Sequence, residues 1–292
     1  MRVLELFCGI GGCAAALPAS AEVVAALDIN EVALGLYRAN FPHPARAATV
    51  ESIPVATLGA LDAELWWLSP PCQPYTVRGK QLDDRDPRAR ALLALIPAIE
   101  ELRPRFLALE NVPGFLGSRS RGRLLASLES AGYSWRERLL CPTELGVPNR
   151  RQRYYLLAGL ESLAPWTFEP VPLRPLVDFL DLEAPGRELE PSLAQSYARA
   201  LDVVDPADPT AVAACFTAAY GHSPVRSGSY LRGSQGPRRF SPREVLRLLG
   251  FADTYRLPAE LPDRTLWRLA GNSLSVTAVR AVLQGVPGLE PG

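Results

Sequence analysis

The stretch Leu4-Glu5-Leu6-Phe7-Cys8-Gly9-Ile10-Gly11-Gly12 sets closely spaced glycines directly behind a short apolar run. An apolar run that stops at glycine reads as a buried strand ending in a sharp turn, where the missing Cβ lets the backbone come close to a ligand. A second run, Val23 to Leu27, ends in Asp28, placed as a carboxylate for a ribose hydroxyl would be. Strand, glycine turn and acid together point to a nucleoside-cofactor site at the start of an α/β sheet, against the alternative of a turn that only serves helix–strand packing.

Working outward, the first 160 or so residues alternate short apolar runs with helical patterns, as a parallel sheet covered by helices does. Strands are expected at Val3 to Phe7, Val23 to Asp28, Leu65 to Ser69, Phe106 to Glu110, Tyr133 to Leu140 and Arg153 to Ala158, with helices at Glu31 to Asn40, Pro87 to Leu102 and Gly122 to Ala131. From Ala164 to Pro237 the periodicity dissolves into Pro-, Gly- and Ser-rich pieces, and Gly233-Ser234-Gln235-Gly236-Pro237 reads as a flexible bridge. A helix returns at Ser241 to Leu249, where Ser241 caps, Pro242 opens, Glu244 completes a capping box and Gly250 stops it. Asn272 to Gln284 is a candidate last helix. The expected architecture is a doubly wound, Rossmann-like α/β domain over 1–163, a smaller irregular domain over 164–262, and a C-terminal segment, 263–292, returning to the first.

Composition bounds the chemistry. With 48% hydrophobic and 21% charged residues over a 292-residue chain, general disorder is excluded. No apolar run reaches the ~20 residues of a spanning helix and no signal peptide opens the chain, so a soluble cytoplasmic protein is expected. Five cysteines without a CxxC pair suggest neither a disulfide framework nor a zinc knuckle, and two histidines make a His-rich metal site or His-based triad a poor fit. Charges balance at 31 bases to 31 acids, which argues against a histone-like basic sheath. Local excess remains possible: between Thr210 and Arg243 lie Arg226, Arg232, Arg238 and Arg239 with no acid, either a phosphate-binding surface or a solvated loop.

Three further segments carry chemistry. Pro70-Pro71-Cys72-Gln73-Pro74-Tyr75 follows a strand end, and its prolines are expected to hold Cys72 in a stiff, extended turn as a displayed nucleophile, against the alternative of a small packed residue. Glu110-Asn111-Val112 ends another strand on the same edge, so its carboxyl is either a proton donor or an exposed cap. Arg151 and Arg153, two apart at the head of a strand, are expected to share one face, either together meeting an anion or base edge or singly standing as surface residues.

In order, Phe7-Cys8-Gly9-Ile10-Gly11-Gly12, Pro70-Pro71-Cys72-Gln73, Glu110-Asn111-Val112, Gln152-Arg153-Tyr154 and Gly271-Asn272-Ser273-Leu274 resemble the ordered motifs of S-adenosylmethionine-dependent cytosine-5 methyltransferases across nearly the whole chain. Asn40-Phe41-Pro42-His43, Ser69 to Thr76 and Cys215-Phe216-Thr217 leading to Tyr220-Gly221 look like the branch that methylates tRNA-Asp.

The resemblance implies a methyltransferase domain and a target-recognition domain with nucleic acid between them. It implies S-adenosylmethionine as cofactor, with S-adenosylhomocysteine as product, held by Phe7, Gly9, Ile10, Gly11, Asp28, Ile29, Pro70, Asn272 and Leu274. Cys72 would attack C6 of cytosine, Glu110 would hold the N3 and N4 edge and give a proton, and Arg151 and Arg153 would steady base and acid. Nucleic acid would meet Gln73, Tyr75, Thr76, Arg78, Cys215, Phe216, Thr217, Tyr220, Arg226, Arg238 and Arg239. The partner expected is tRNA, specifically tRNA-Asp; duplex DNA is the weaker alternative, since specific duplex readout usually demands more basic surface. A catalytically silent nucleic-acid-binding module is the reading of another class, opposed by intact Cys72 and Glu110. No metal, membrane or obligate protein partner is implied.

Overall fold

A computed structural model describes residues 1–76, 82–169, 171–181 and 187–289. Among the described residues twelve strands lie in three sheets: β1 Arg2–Leu6, β2 Glu22–Asp28, β3 Ala45–Ala47, β4 Leu65–Leu68, β5 Phe106–Asn111, β6 Ser134–Leu140, β7 Asn149–Arg150, β8 Arg153–Gly159, β9 Val203–Val204, β10 Ala213–Ala214, β11 Tyr230–Gly233 and β12 Gly236–Arg239. The helices are α1 Glu31–Asn40, α2 Val55–Gly59, α3 Arg90–Leu102, α4 Arg119–Ser130, α5 Pro191–Ser196, α6 Pro242–Leu248, α7 Asp263–Gly271 and α8 Val276–Leu283. None of them is long and apolar enough to cross a membrane.

The chain divides into two compact units. The first holds 1–140, 152–167 and 279–292; the second holds 141–151 and 168–278. The borders differ from those expected at 163/164 and 262/263, because 141–151 and 263–278 pack within the second unit.

The first unit is the doubly wound sheet that the alternating pattern predicts. Its strand order is β3-β2-β1-β4-β5-β8-β6, parallel except for β8, which runs antiparallel to both neighbours. From β1 the chain goes one way to β2 and later returns to the other side at β4, so the order reverses between β1 and β4. Ligands in open α/β sheets bind outside the strand carboxyl ends at such a reversal. Leu4, Leu6, Leu27, Trp66, Leu68, Leu107 and Leu109 form one apolar layer of the core with Leu92, Leu95 and Leu124 of α3 and α4. A strand covered on both faces needs no alternation, which is why these runs are almost continuously apolar.

The expected elements are found with shifted ends. The helix expected from Gly122 starts at Arg119, because Ser118 accepts the Arg121 amide at 3.0 Å and Asp83 accepts the Arg119 amide at 2.6 Å. The capping box of α6 is formed, Ser241 accepting from Glu244 N at 3.1 Å and Glu244 accepting from Ser241 N at 2.6 Å. The short edge strand β3 and helices α2 and α7 had no counterpart among the expected elements.

In the second unit the stretch read as a flexible bridge is a hairpin. Gly233 pairs with Gly236 across Ser234-Gln235, and Tyr230 pairs with Arg239. Phe216, Tyr220, Tyr230, Phe240 and Trp267 pack as an aromatic core with neighbouring centroids 5.0–5.8 Å apart. Gly271, at the end of α7, backs onto the 217–218 peptide; a Cβ there would sit 2.2 Å from the Thr217 carbonyl carbon, so only glycine fits.

Candidate active site

In the first unit the sheet brings four strand ends to one edge: β1, β2, β4 and β5 end there, and antiparallel β8 begins there. The glycine turn leaves β1 with Phe7, Gly9 and Gly11 all at positive φ. A Cβ on Gly9 would meet nothing within 4 Å, whereas one on Gly11 would strike the Phe41 ring at 2.4 Å. Gly9 therefore leaves a backbone cradle open and Gly11 permits packing from behind. Ile10 is buried, so its side chain belongs to the core and only its backbone is available to a ligand.

Asp28 accepts the Gly9 amide at 2.8 Å through Oδ2 and the Asn30 amide at 2.8 Å through Oδ1. These bonds lock the turn to the end of β2 and leave further lone pairs for a ligand hydroxyl. Ile29, next in sequence, is 73% exposed and leaves an apolar side chain just past the end of β2, where a base could stack on it. Cradle, carboxylate and exposed isoleucine fit the methyl-donor nucleoside expected of this turn. Asp28→Ala is expected to weaken S-adenosylmethionine binding about 10- to 100-fold, as loss of a charged acceptor does; calorimetry giving wild-type affinity would refute the role.

Cys72 follows β4 through Ser69-Pro70-Pro71 and is partly exposed. Its backbone is not extended as expected: φ −87° and ψ −16° place it in the helical region at the head of a single turn, Gln73–Tyr75, closed by Tyr75 N donating to Cys72 O at 3.0 Å. The restriction before proline falls on Gln73, not on Cys72. Pro70 is buried and its carbonyl accepts Asn111 Nδ2 at 3.2 Å, so Asn111 ties the end of β5 to the Cys72 loop. Gln73 is exposed and Thr76 partly so.

Glu110, the last residue but one of β5, is a mostly buried carboxyl, and Arg153 Nε, at the start of β8, lies 3.3 Å from its Oε1. The pair is 11–14% exposed at the side chains, so the acid keeps an accessible edge while the guanidinium fixes its orientation. Arg88, not singled out by the sequence pattern, also acts on this edge. Asp86, itself buried, binds it bidentately at 2.9 and 2.7 Å and raises its pKa, and the Cys72 sulfur lies within range of its charge. The Asp-Pro-Arg spacing is the signal that was available: an acid two residues before an arginine, pinned by proline.

Several expected contacts are structural instead. Tyr75 is buried against Phe115 at 4.9 Å, and burial pushes its hydroxyl up to about 12. In the second unit Phe216 and Tyr220 sit in the aromatic core rather than on a surface. Arg238 is paired inside that unit with Glu244 at 2.8 Å. Arg151 does not share a face with Arg153, since β8 begins only at Arg153 and strand alternation does not reach back across Gln152. Its buried guanidinium donates to Phe216 O at 2.9 Å, Gly271 O at 3.1 Å and Ser273 O, with Cys215 Sγ 3.5 Å away. Cys215 and Thr217 are partly buried, Arg226 is exposed in a left-handed conformation, and Arg239 lies over the Trp267 ring at 5.8 Å. Asn272 is exposed and Leu274 buried, both in this second unit. Arg78 lies outside the described residues.

A sequence profile described as C-5 cytosine-specific DNA methylase matches residues 1–178 and 212–286. The chain belongs to this family. Among its relatives, the human tRNA (cytosine(38)-C(5))-methyltransferase is 30% identical over 97% of this chain and 98% of its own length. The crystal structure of the Schizosaccharomyces pombe Dnmt2 methyltransferase matches with a TM-score of 0.87 at 28% identity, covering 97% of both chains. The Entamoeba histolytica methyltransferase EhMeth matches at 0.89 and 25% identity, over 97% of this chain and 96% of that one. Cytosine-5 methylases generally use S-adenosylmethionine, and the β1 turn has the features to receive it.

Proposed function

We propose that this cytosine-5 methylase modifies tRNA, at cytosine 38 in the anticodon loop of tRNA-Asp, through a covalent bond between Cys72 and C6 of the base. The observation that carries the reading is the common edge: a partly exposed thiol after β4, and an arginine-fixed carboxyl at the end of neighbouring β5. C5 of cytosine is a weak nucleophile. Addition of the Cys72 sulfur to C6, with Glu110 giving a proton to N3, converts the ring to an enamine whose C5 is electron-rich. Bound S-adenosylmethionine supplies an electrophilic methyl on a sulfonium. Once C5 carries the methyl, loss of the C5 proton, return of the N3 proton to Glu110 and cleavage of the S–C6 bond restore the aromatic ring, the acid and the Cys72 thiolate. Arg153 holds Glu110 in place, and the Arg88 charge favours the thiolate form of Cys72, which is otherwise a minor species at neutral pH.

RNA is favoured over duplex DNA on three grounds. Relatives matched end to end are named as cytosine-38 tRNA methyltransferases. A loop base leaves its stack at lower cost than a paired one. A chain of balanced charge carries less net positive charge than specific duplex readout usually demands. The purified protein, given methyl-labelled S-adenosylmethionine with tRNA or with duplex DNA, is expected to label tRNA, and bisulfite sequencing of the product to report position 38. Label in DNA alone would overturn the assignment.

A further inference from the structure

Glu5 has no part in the chemistry above. It lies between Leu4 and Leu6, whose side chains enter the core layer shared with α3 and α4, and its own points to the other face of β1. There it is fully buried. Oε2 accepts a hydrogen bond from the Tyr37 hydroxyl at 2.9 Å, and that hydroxyl is 3.1 Å from Nδ1 of half-buried His43. Oε1 has no hydrogen-bond partner among the described residues. The amides of Cys13 and Ala14 face the carboxyl and ease its ionisation, yet neither is aligned for a bond to Oε1.

The surroundings give an ionised Glu5 little support. Around it stand Tyr37 from α1, Cys8 and Cys13 from the glycine turn, and Asp28 from β2, with His43 behind Tyr37 and Arg38 acting on the Cys8 side. Burial drives both thiols and the Tyr37 hydroxyl up and His43 down, so all four are neutral at neutral pH. Asp28 is an anion. Desolvation, with a smaller push from Asp28, lifts Glu5 to about 8 against the pull of Tyr37 and the two amides. The carboxyl therefore holds its proton at neutral pH directly beneath the turn read as the cofactor cradle.

We propose that Glu5 makes this turn charge-selective: a sulfonium cofactor seated there draws the proton off the buried carboxyl, and the neutral thioether left after methyl transfer does not. The inference rests on the reading of the turn as the S-adenosylmethionine site. The donor carries one more positive charge than its product, and an anion next to it is stabilised in proportion. The proton leaves to solvent, with Tyr37 and His43 as the hydrogen-bonded way out. Binding of the donor is then coupled to proton release, and the return of the proton favours departure of the product.

Calorimetric titration of the full chain with S-adenosylmethionine, and separately with S-adenosylhomocysteine, in phosphate and in Tris buffer at neutral pH, tests this. The donor is expected to release about half to one proton and the product much less. Below the free carboxyl's pKa the donor must expel the proton and above it the proton is already gone, so donor-over-product preference climbs with pH and levels off near pH 8. Glu5→Gln removes the buffer dependence and lowers that preference about tenfold, the equivalent of one pKa unit. Tyr37→Phe deletes a bond to the ionised form and moves proton release to higher pH, a readout that stands even where Glu5→Gln fails to fold. Equal proton release with both ligands, or none with the donor in the wild type, overturns the role of Glu5 while normal binding keeps the cofactor site. Failure of either ligand to bind removes the site and the inference together.

Discussion

Cys72→Ala is expected to cut methyl transfer by at least about 10⁴-fold, as removal of a covalent nucleophile does, and to leave S-adenosylmethionine affinity within about twofold. The separation follows from where the sulfur is. Cys72 is partly exposed on a turn, and the bonds that shape the turn end on backbone carbonyls, Tyr75 N donating to Cys72 O and the Asn111 side chain, through Nδ2, to Pro70 O. Removing one sulfur atom there opens no cavity in the core. The features read as the cofactor cradle, Gly9, Asp28 and Ile29, stand at the ends of β1 and β2, where Asp28 holds the Gly9 amide. Cys72→Ser restores little, because a hydroxyl is far less acidic than a thiol and gains little from the Arg88 charge. RNA carrying 5-fluorocytosine gives an independent readout: a C5 fluorine cannot leave as a proton does, so the wild type stays attached to the base and Cys72→Ala does not. A variant that methylates at the wild-type rate would end the covalent proposal.

How far the site could be read in advance depended on whether a residue's role is local or tertiary. Gly9, Asp28, Cys72 and Glu110 all stand where an apolar run stops, and a run, its end and a glycine or proline beside it are visible in one dimension. The sheet then fixes their common edge, because parallel strands end on the same side. Arg151, Tyr75, Phe216, Tyr220 and Arg238 carry residue types that suit nucleic acid equally well, and what decides them is burial. Phe216 and Tyr220 are covered by Phe240, Tyr230 and Trp267, partners 10 to 47 residues away that no local pattern announces. Glu5 was legible in principle. A carboxylate inside a run expected to be buried on both faces is rare without a reason, and its isolation between Leu4 and Leu6 was the available signal.

Arg151→Met is expected to cost the second unit about 3–5 kcal/mol, the range for breaking a buried charged group's bonds. The guanidinium is 3% exposed and serves carbonyls from two separate segments, Phe216 on one side and Gly271 and Ser273 on the other. A methionine fills much of the volume and supplies no donor, so three buried carbonyls lose their partner together, each worth roughly 1–3 kcal/mol when left unsatisfied. The segments it joins are the ones that close space cannot hold alone: Gly271 has no side chain, and its backbone touches the 217–218 peptide. Arg151→Lys keeps the charge but not the planar fork, so it reaches fewer of these oxygens and falls between wild type and methionine. Trp267 lies in the same unit, its Nε1 donating to Phe240 O at 2.9 Å, so a shift of the tryptophan emission in urea follows the loss. Wild-type stability with methyl transfer abolished would reverse the conclusion: the guanidinium would then touch the substrate, as the Arg151-Gln152-Arg153 spacing first implied, and the carbonyls would have found other donors.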